Sequence, residues 1–156
     1  MNLSKAEKLA VDLMYKHDLF RSGWHFKFDN AKRRFGCCKY GSKQITLSKH
    51  LVELNSEAQV RNTILHEIAH ALTPGQHHNH VWRRKAREIG CTGDRCYSSV
   101  EVETPEARYI AVCQGCGFTH KRHKKPNTRR RSSCGQCSGG RFNPQYEIIY
   151  TLNPDY

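Results

Sequence analysis

The pentapeptide His66-Glu67-Ile68-Ala69-His70 constrains the fold of this chain most strongly, because the apolar residues around it recur with a helical period. Two histidines four residues apart lie on one face of a helix, so both imidazoles can bind one metal ion. Glu67 is rotated by about 100 degrees from His66, which lets its carboxylate reach a water on that ion. The alternative, a helix with two surface histidines, is disfavoured by the apolar flanks.

The H-E-x-x-H spacing is typical of zinc hydrolases. Zinc lowers the pKa of its bound water towards about 7, and a neighbouring carboxylate can then accept the proton as general base. We therefore predict that His66 and His70 bind a catalytic zinc ion and that Glu67 activates the water.

A catalytic zinc site needs a third protein ligand and an open position. Thr73 and Gln76 stand where the metzincin pattern requires glycine and histidine, which excludes that pattern. Glu88 on the next predicted helix is one candidate for the third ligand. Three histidines follow the Pro74-Gly75 turn and are favoured over Glu88, because the turn returns them towards the motif: His77, His78 and His80.

The surrounding pattern predicts an α+β domain with a helix, a three-stranded antiparallel sheet and two further helices. Ser4 and Glu7 have the spacing of a capping box for a helix over 4–20. Short strands are predicted over 24–28, 35–40 and 43–47. Ser48 is expected to begin a brief helix, and Ser56 with Gln59 forms a capping box for the helix that carries the metal motif. A last helix is predicted over 78–89.

These segments resemble the SprT-like zinc metalloproteases, the family that includes Spartan. The resemblance covers residues 3–90 and rests on Asn30-Ala31-Lys32-Arg33-Arg34-Phe35-Gly36, Ile45-Thr46-Leu47-Ser48, the H-E-x-x-H motif and His78-Asn79-His80-Val81-Trp82. The last of these is similar to the family's H-G-x-x-W/F segment, with Asn79 where glycine is usual. The register of the aromatic residue selects His78 as the third zinc ligand.

The resemblance implies a minimal zincin-like metalloprotease fold. It also implies proteolysis of DNA-bound or DNA-crosslinked proteins, often with DNA as activator, and so a role in the repair of DNA–protein crosslinks. It does not identify the group that stabilises the oxyanion, for which Tyr97, His77 and His80 remain candidates.

Two C-x-x-C pairs near the end of the chain, Cys113 with Cys116 and Cys134 with Cys137, have the spacing of a zinc ribbon. Four thiolates close a tetrahedral site and leave no position for substrate, so this second zinc ion is predicted to be structural. Two redox-active pairs of the thioredoxin type are disfavoured, because no βαβ pattern surrounds them. Strands over 109–112 and 146–152 are predicted to flank the pairs.

The loop between the two cysteine pairs is strongly basic and has no acidic residue from Gly117 to Ser133. The side chains predicted to contact phosphates are Lys121, Arg122, Lys124, Lys125, Arg129, Arg130 and Arg131. Phe118, Phe142 and Tyr146 are candidate stacking surfaces for unpaired bases, which favours DNA with single-stranded character. The alternatives are a solvated loop and an acidic membrane surface.

The composition agrees with a polyanionic partner, since lysine and arginine outnumber aspartate and glutamate by 26 to 14. The absence of a long apolar run and of a secretion signal predicts a cytoplasmic protein, nucleoid-associated or nuclear, and not a membrane protein. We expect a metalloprotease domain over 1–104 and a DNA-binding zinc ribbon over 105–156.

Four cysteines remain outside the ribbon. Cys37 and Cys38 are adjacent in a predicted strand, so one thiol is expected to be buried and the other exposed. Cys91 and Cys96 are candidates for a local disulfide or for contact with a second metal ion.

Two other functions also fit the sequence. One is a different class of function, a non-enzymatic DNA-binding zinc adaptor. The other is a zinc hydrolase that acts on a bond other than a peptide.

Overall fold

A computed structural model describes residues 1–94, 102–127 and 129–156. The chain forms two compact units, Met1–Pro105 and Glu106–Tyr156. No helix among the described residues is both long enough and apolar enough to cross a membrane.

The described residues of the first unit form four helices and three strands in the order α1 (Leu3–Lys16), β1 (His25–Asp29), β2 (Gly36–Lys39), β3 (Gln44–Ser48), α2 (Lys49–Leu54), α3 (Glu57–Leu72) and α4 (His80–Glu88). This confirms the predicted α+β class. Its core is formed by apolar residues of the helices and of β3, including Met14, Ile45, Ile64 and Trp82.

The sheet of this unit is mixed, and the prediction of an antiparallel sheet was wrong. Its strand order is β1-β3-β2, with β2 antiparallel and β1 parallel to the central strand. β3 takes the central place because Ile45 to Ser48 are all buried, so this strand is covered on both faces. The chain therefore passes from one edge of the sheet to the other before β3 enters between them.

The two long helices differ in how well their starts were predicted. Ser56 and Gln59 form the predicted capping box at the start of α3. In α1 the capping residue is Asn2 and not Ser4, since Asn2 Oδ1 accepts a hydrogen bond of 2.8 Å from Ser4 N. Asparagine is among the strongest N-cap residues, so the helix begins at Leu3, and it ends at Lys16 rather than near residue 20.

The second unit is a small antiparallel sheet with strand order β5-β4-β6. Its elements are β4 (Tyr109–Val112), β5 (Thr119–Arg122), α5 (Gly135–Ser138), a 3-10 turn (Pro144–Tyr146) and β6 (Thr151–Leu152). The predicted strand over 109–112 is confirmed. The strand predicted over 146–152 is reduced to its last residues, because Asn143 caps the turn that begins at Pro144.

Candidate metal centres

The first candidate metal centre is formed by three imidazoles from α3 and the turn before α4. The Nε2 atoms of His66 and His70 are 3.2 Å apart, and each lies 3.1 Å from Nε2 of His78. α3 provides two of these side chains one turn apart. Gly75 and His77 have left-handed backbone conformations, with φ of 78° and 49°, and they reverse the chain so that His78 faces the helix.

This arrangement fits a zinc ion. Tetrahedral zinc bound at about 2.0–2.1 Å requires imidazole nitrogens about 3.3 Å apart, close to the observed separations. Burial has the largest effect on these two imidazoles and the charges of neighbouring histidines have the next largest. Together they lower the pKa of His66 to about 3 and that of His70 to about 4. Both rings are therefore neutral near pH 7, which is the form that binds metal.

The ring of His66 also has a partner outside the cluster. It forms a hydrogen bond with the main chain of Asp94, and outer contacts of this type commonly orient ligand histidines. Sequence reasoning missed Asp94, because a main-chain contact carries no signal in residue type.

Glu67 lies in a tight space between α3 and the edge strand β2. Its side chain is buried, and this burial raises its pKa to about 8 against the opposing effects of the Arg34 charge and a hydrogen bond from Cys38 N–H. A Cβ atom at Gly36 would lie 2.7 Å from Glu67 Oε1 and 2.8 Å from Glu67 Cγ. Only glycine at position 36 allows β2 to approach the carboxylate so closely.

The other candidates for the third ligand lie outside the three-imidazole cluster within the described part of the chain. His80 begins α4 and is exposed, and Glu88 is exposed and forms an ion pair with Lys85 at 2.7 Å. His77 is close enough for its charge to lower the pKa of His70, but it is not a member of the cluster. Tyr97, a candidate for the oxyanion contact, lies outside the described residues.

Tyr40 is a second residue that sequence reasoning missed. Its hydroxyl donates a 3.1 Å hydrogen bond to the main-chain oxygen of His70, and its ring packs edge-on against Trp24. This contact ties the turn after β2 to the end of α3 that carries the second histidine of the motif.

The second candidate metal centre brings together the four ribbon cysteines. Their Sγ atoms lie within 4.8 Å of one another, with separations of 3.8 Å for Cys113 to Cys137 and for Cys116 to Cys134. Tetrahedral zinc with bonds of about 2.3 Å requires sulfurs about 3.8 Å apart, so the cluster fits this ion. The main-chain N–H of Cys116 is the largest of the effects that lower the pKa of Cys113 to about 7, which favours its thiolate.

Tyr146 packs against this cluster and is not an open stacking surface. A Cβ atom at Gly115 would lie 2.7 Å from the Tyr146 ring and 3.1 Å from Cys137 Sγ. The tyrosine is therefore part of the small core of the ribbon. Phe118 and Phe142, the other two aromatic candidates, are exposed at 58% and 47%.

The predicted phosphate-contacting side chains are all exposed, but they differ in their partners. Arg131 forms two hydrogen bonds with the Glu147 carboxylate and lies over the Phe142 ring. Arg122 lies over the Tyr150 ring at 4.8 Å. No ion pair within the described residues involves the remaining members, Lys121, Lys124, Lys125, Arg129 and Arg130.

The cysteines outside the ribbon do not follow the prediction for adjacent strand residues. Cys37 and Cys38 are both half-buried, so the expected division into a buried and an exposed thiol was wrong. Gly36, Cys37 and Cys38 are all half-buried, so neither face of β2 is fully covered or fully open at these positions. Cys91 is a buried free thiol, and Cys96, its suggested partner, lies outside the described residues.

Comparison with known proteins places this arrangement in a family. The model of the SprT-like family matches residues 9–105, more than half of the chain. The chain belongs to the SprT-like family. This confirms the resemblance noted in the sequence.

Individual relatives agree with this assignment. The chain is 29% identical to "Protein SprT-like" of Staphylococcus carnosus, over 89% of this chain and 94% of that protein. It is 27% identical to "Protein SprT-like" of Lactiplantibacillus plantarum, over 79% of this chain and 86% of that protein. The "Germ cell nuclear acidic-1 protein" of Caenorhabditis elegans is 29% identical over 66% of this chain, which corresponds to 21% of that much longer protein.

Proposed function

We propose that this SprT-like protein is a zinc-dependent metallopeptidase that cleaves DNA-bound or DNA-crosslinked proteins and is activated by DNA. The observation that carries the proposal is the convergence of three imidazoles beside the buried carboxyl group of Glu67. Membership of the SprT-like family supports the same activity.

His66, His70 and His78 would hold the catalytic zinc ion. A bound zinc ion supplies Lewis acidity, which activates a water and polarises the scissile carbonyl. Three protein ligands leave one position open for this chemistry, whereas the four cysteines of the ribbon leave none. This difference supports a catalytic role for the first site and a structural role for the second.

Glu67 would accept the proton of the attacking water and later transfer it to the leaving amine. For the first of these steps the carboxylate must be ionised and held in one orientation. Burial raises the pKa of Glu67 to about 8 and outweighs the Arg34 charge and the Cys38 N–H, which favour the ionised form. The charge of a zinc ion held by the neighbouring histidines would lower this pKa and favour the carboxylate. The close approach of Gly36 restricts the carboxylate to a narrow range of positions.

The ribbon would bind the DNA. Apart from Arg131, which is paired with Glu147, the predicted phosphate-contacting lysines and arginines form no ion pair within the described residues, and they can neutralise phosphates. Exposed Phe118 and Phe142 provide flat surfaces on which unpaired bases can stack, so single-stranded DNA is the preferred form. DNA binding of this kind would bring the peptidase to proteins on the same strand.

The proposal is tested by incubating the zinc-loaded chain with a basic DNA-binding protein, with and without single-stranded DNA, and identifying fragments by mass spectrometry. Glu67→Gln is the inactive variant. Glu53→Gln is the matched control, since Glu53 is an exposed glutamate on α2. We expect DNA-dependent cleavage by the wild type and by Glu53→Gln, and none by Glu67→Gln.

Two results would contradict the proposal. Cleavage that persists in Glu67→Gln would exclude Glu67 as the general base. A wild-type chain that binds zinc at both sites and binds DNA, yet cleaves nothing, would favour the non-enzymatic DNA-binding adaptor.

A further inference from the structure

Trp82 lies in contact with all three imidazoles of the first metal centre. Its ring centroid is 4.7 Å from that of His66, 5.1 Å from that of His70 and 4.6 Å from that of His78. The imidazole centroids are themselves separated by 4.6 to 5.0 Å. The four rings thus form a nearly regular tetrahedron, in which the indole covers one side of the imidazole triangle.

The contacts between these rings are close and differ in orientation. The indole is nearly parallel to His70, at an interplanar angle of 27°, and it meets His66 at 64° and His78 at 80°. Stacked and edge-on arrangements are both favourable for aromatic rings, so each imidazole has its own preferred position on the indole. Rotation of any of the three rings would break one of these contacts.

The position of Trp82 is itself fixed by its surroundings. Asn79 caps α4 and its Oδ1 accepts hydrogen bonds from Val81 N at 3.0 Å and Trp82 N at 3.2 Å. Because Asn79 follows His78 directly, this cap couples the indole to the ligand that comes from outside α3. The indole is fully buried, whereas the three imidazoles are half-buried, so the tryptophan lies on the core side of the cluster.

The indole also has a feature that core packing alone does not explain. Its Nε1 atom is buried and has no hydrogen-bond partner among the described residues. A buried donor without a partner is destabilising, and phenylalanine at this position would avoid that penalty. The larger ring is therefore retained at a cost to folding.

We propose that Trp82 is a positioning residue, whose indole holds the three imidazoles in the arrangement that binds the metal ion. The proposal rests on the metal site of the proposed function but not on proteolysis. Mutation of hydrogen-bonded groups that orient metal ligands typically costs about 10- to 100-fold in metal affinity, and we expect an effect of this size for the indole. Removal of the indole should weaken metal binding by the folded chain, in addition to any loss of stability caused by the smaller core side chain.

The experiment uses the full chain with zinc retained in the ribbon and cobalt(II) titrated into the histidine site, followed by its d–d absorption. His66→Ala identifies the signal that belongs to this site. We expect Trp82→Phe, which keeps one aromatic ring, to bind cobalt about 10-fold more weakly than the wild type, and Trp82→Leu to bind about 100-fold more weakly. Trp24→Phe is the matched control, because Trp24 is also buried in the first unit but packs against Tyr40.

A second readout separates positioning from a general effect on folding. The stability of the metal-free chain is measured by urea unfolding with circular dichroism. If Trp82 were needed only for packing, its substitution would lower this stability while the folded chain kept its cobalt affinity. In the Trp24→Phe chain Trp82 is the one remaining tryptophan, so emission excited selectively from tryptophan reports on Trp82. One equivalent of cobalt at the histidines should quench this emission.

The possible failures are distinguishable. Unchanged cobalt affinity in both Trp82 variants, or a Trp82 emission that does not respond to His66-dependent cobalt binding, would overturn the positioning role alone. A wild-type chain without His66-dependent cobalt binding would overturn the metal site together with this proposal.

Discussion

The close approach of β2 to Glu67 gives a prediction that couples stability to activity. In Gly36→Ala the added Cβ would lie 2.7 and 2.8 Å from two atoms of Glu67 and 3.0 Å from Thr63 Cγ2. Distances this short cannot be accommodated without movement, and overpacking of this kind costs about 1–3 kcal/mol of unfolding free energy. The movable group is the carboxylate, so Glu67 is expected to leave its position.

The two effects can be separated by a double-mutant cycle. Glu67→Ala removes both of the shortest contacts, so Gly36→Ala should cost less than about 1 kcal/mol in that background, a coupling of about 1–2 kcal/mol. Peptidase activity of Gly36→Ala should fall about 100-fold, because a displacement of about 1 Å in a catalytic group is enough for such a loss. Gly41→Ala is the control, since nothing lies within 4 Å of its added Cβ.

The assay is urea unfolding of the four zinc-loaded proteins of the cycle, followed by tryptophan fluorescence. Both tryptophans, Trp24 and Trp82, lie in the first unit, so the signal reports on the unit that contains the substitution. An equal cost of Gly36→Ala in the wild-type and Glu67→Ala backgrounds would refute the steric argument. Full peptidase activity in Gly36→Ala would refute the positioning of Glu67 by β2.

Three further predictions follow from the ligands, the basic loop and a carboxylate in the sheet. His78→Ala should lower the zinc content, measured by metal analysis, from about two ions per chain to about one. His80 is exposed and lies outside the cluster, so His80→Ala should keep both ions. The same zinc content in the two variants would exclude His78 as a ligand. The double variant Arg129→Gln, Arg130→Gln should bind single-stranded DNA more weakly, and the slope of log K against log salt should fall by up to about 1.4. Arg131→Gln should change this slope less, because its guanidinium is already paired with Glu147. A larger change of slope in Arg131→Gln than in the double variant would contradict the assignment. Burial acts to raise the pKa of Asp29, but hydrogen bonds from Ala31 N, the Thr46 hydroxyl and Arg34 outweigh this effect and hold the pKa below its ordinary value of 3.8. The ionised carboxylate therefore stabilises the fold above about pH 4, and this stabilisation is lost as the pH falls. Asp29→Asn should therefore cost about 1–3 kcal/mol at pH 7 in urea unfolding, with a difference from wild type that shrinks below pH 4; a constant difference would contradict the role of its charge.

The features that the sequence predicted well are local in the chain. The helix that carries His66 and His70 follows from its apolar period and its capping box, both of which involve residues no more than a few positions apart. The same holds for the cysteine pairs, because each C-x-x-C turn presents two thiolates by its own geometry. The α+β class was predictable for the same reason, since each segment shows its own period.

With one local exception, the start of α1, the features that were wrong or missed depend on contacts between separate segments. The antiparallel prediction for the sheet failed because period two identifies a strand but not its neighbours, and β3 enters between two strands that precede it. The start of α1 was wrong because two neighbouring residues, Asn2 and Ser4, can both cap a helix.

By itself the sequence determined which residue types could form each metal site, because ligand spacing within a helix or a tight turn is fixed by backbone geometry. The resemblance to the SprT-like family selected His78 in the sequence, and the tertiary structure gives the physical reason: the left-handed turn at Gly75 and His77 brings His78, and not its neighbours, into the cluster. It also decided that Gly36 confines Glu67 and that the Trp82 indole supports the imidazoles. These contacts join α3 to β2 and α4, and packing between separate elements leaves no periodic signal in the chain.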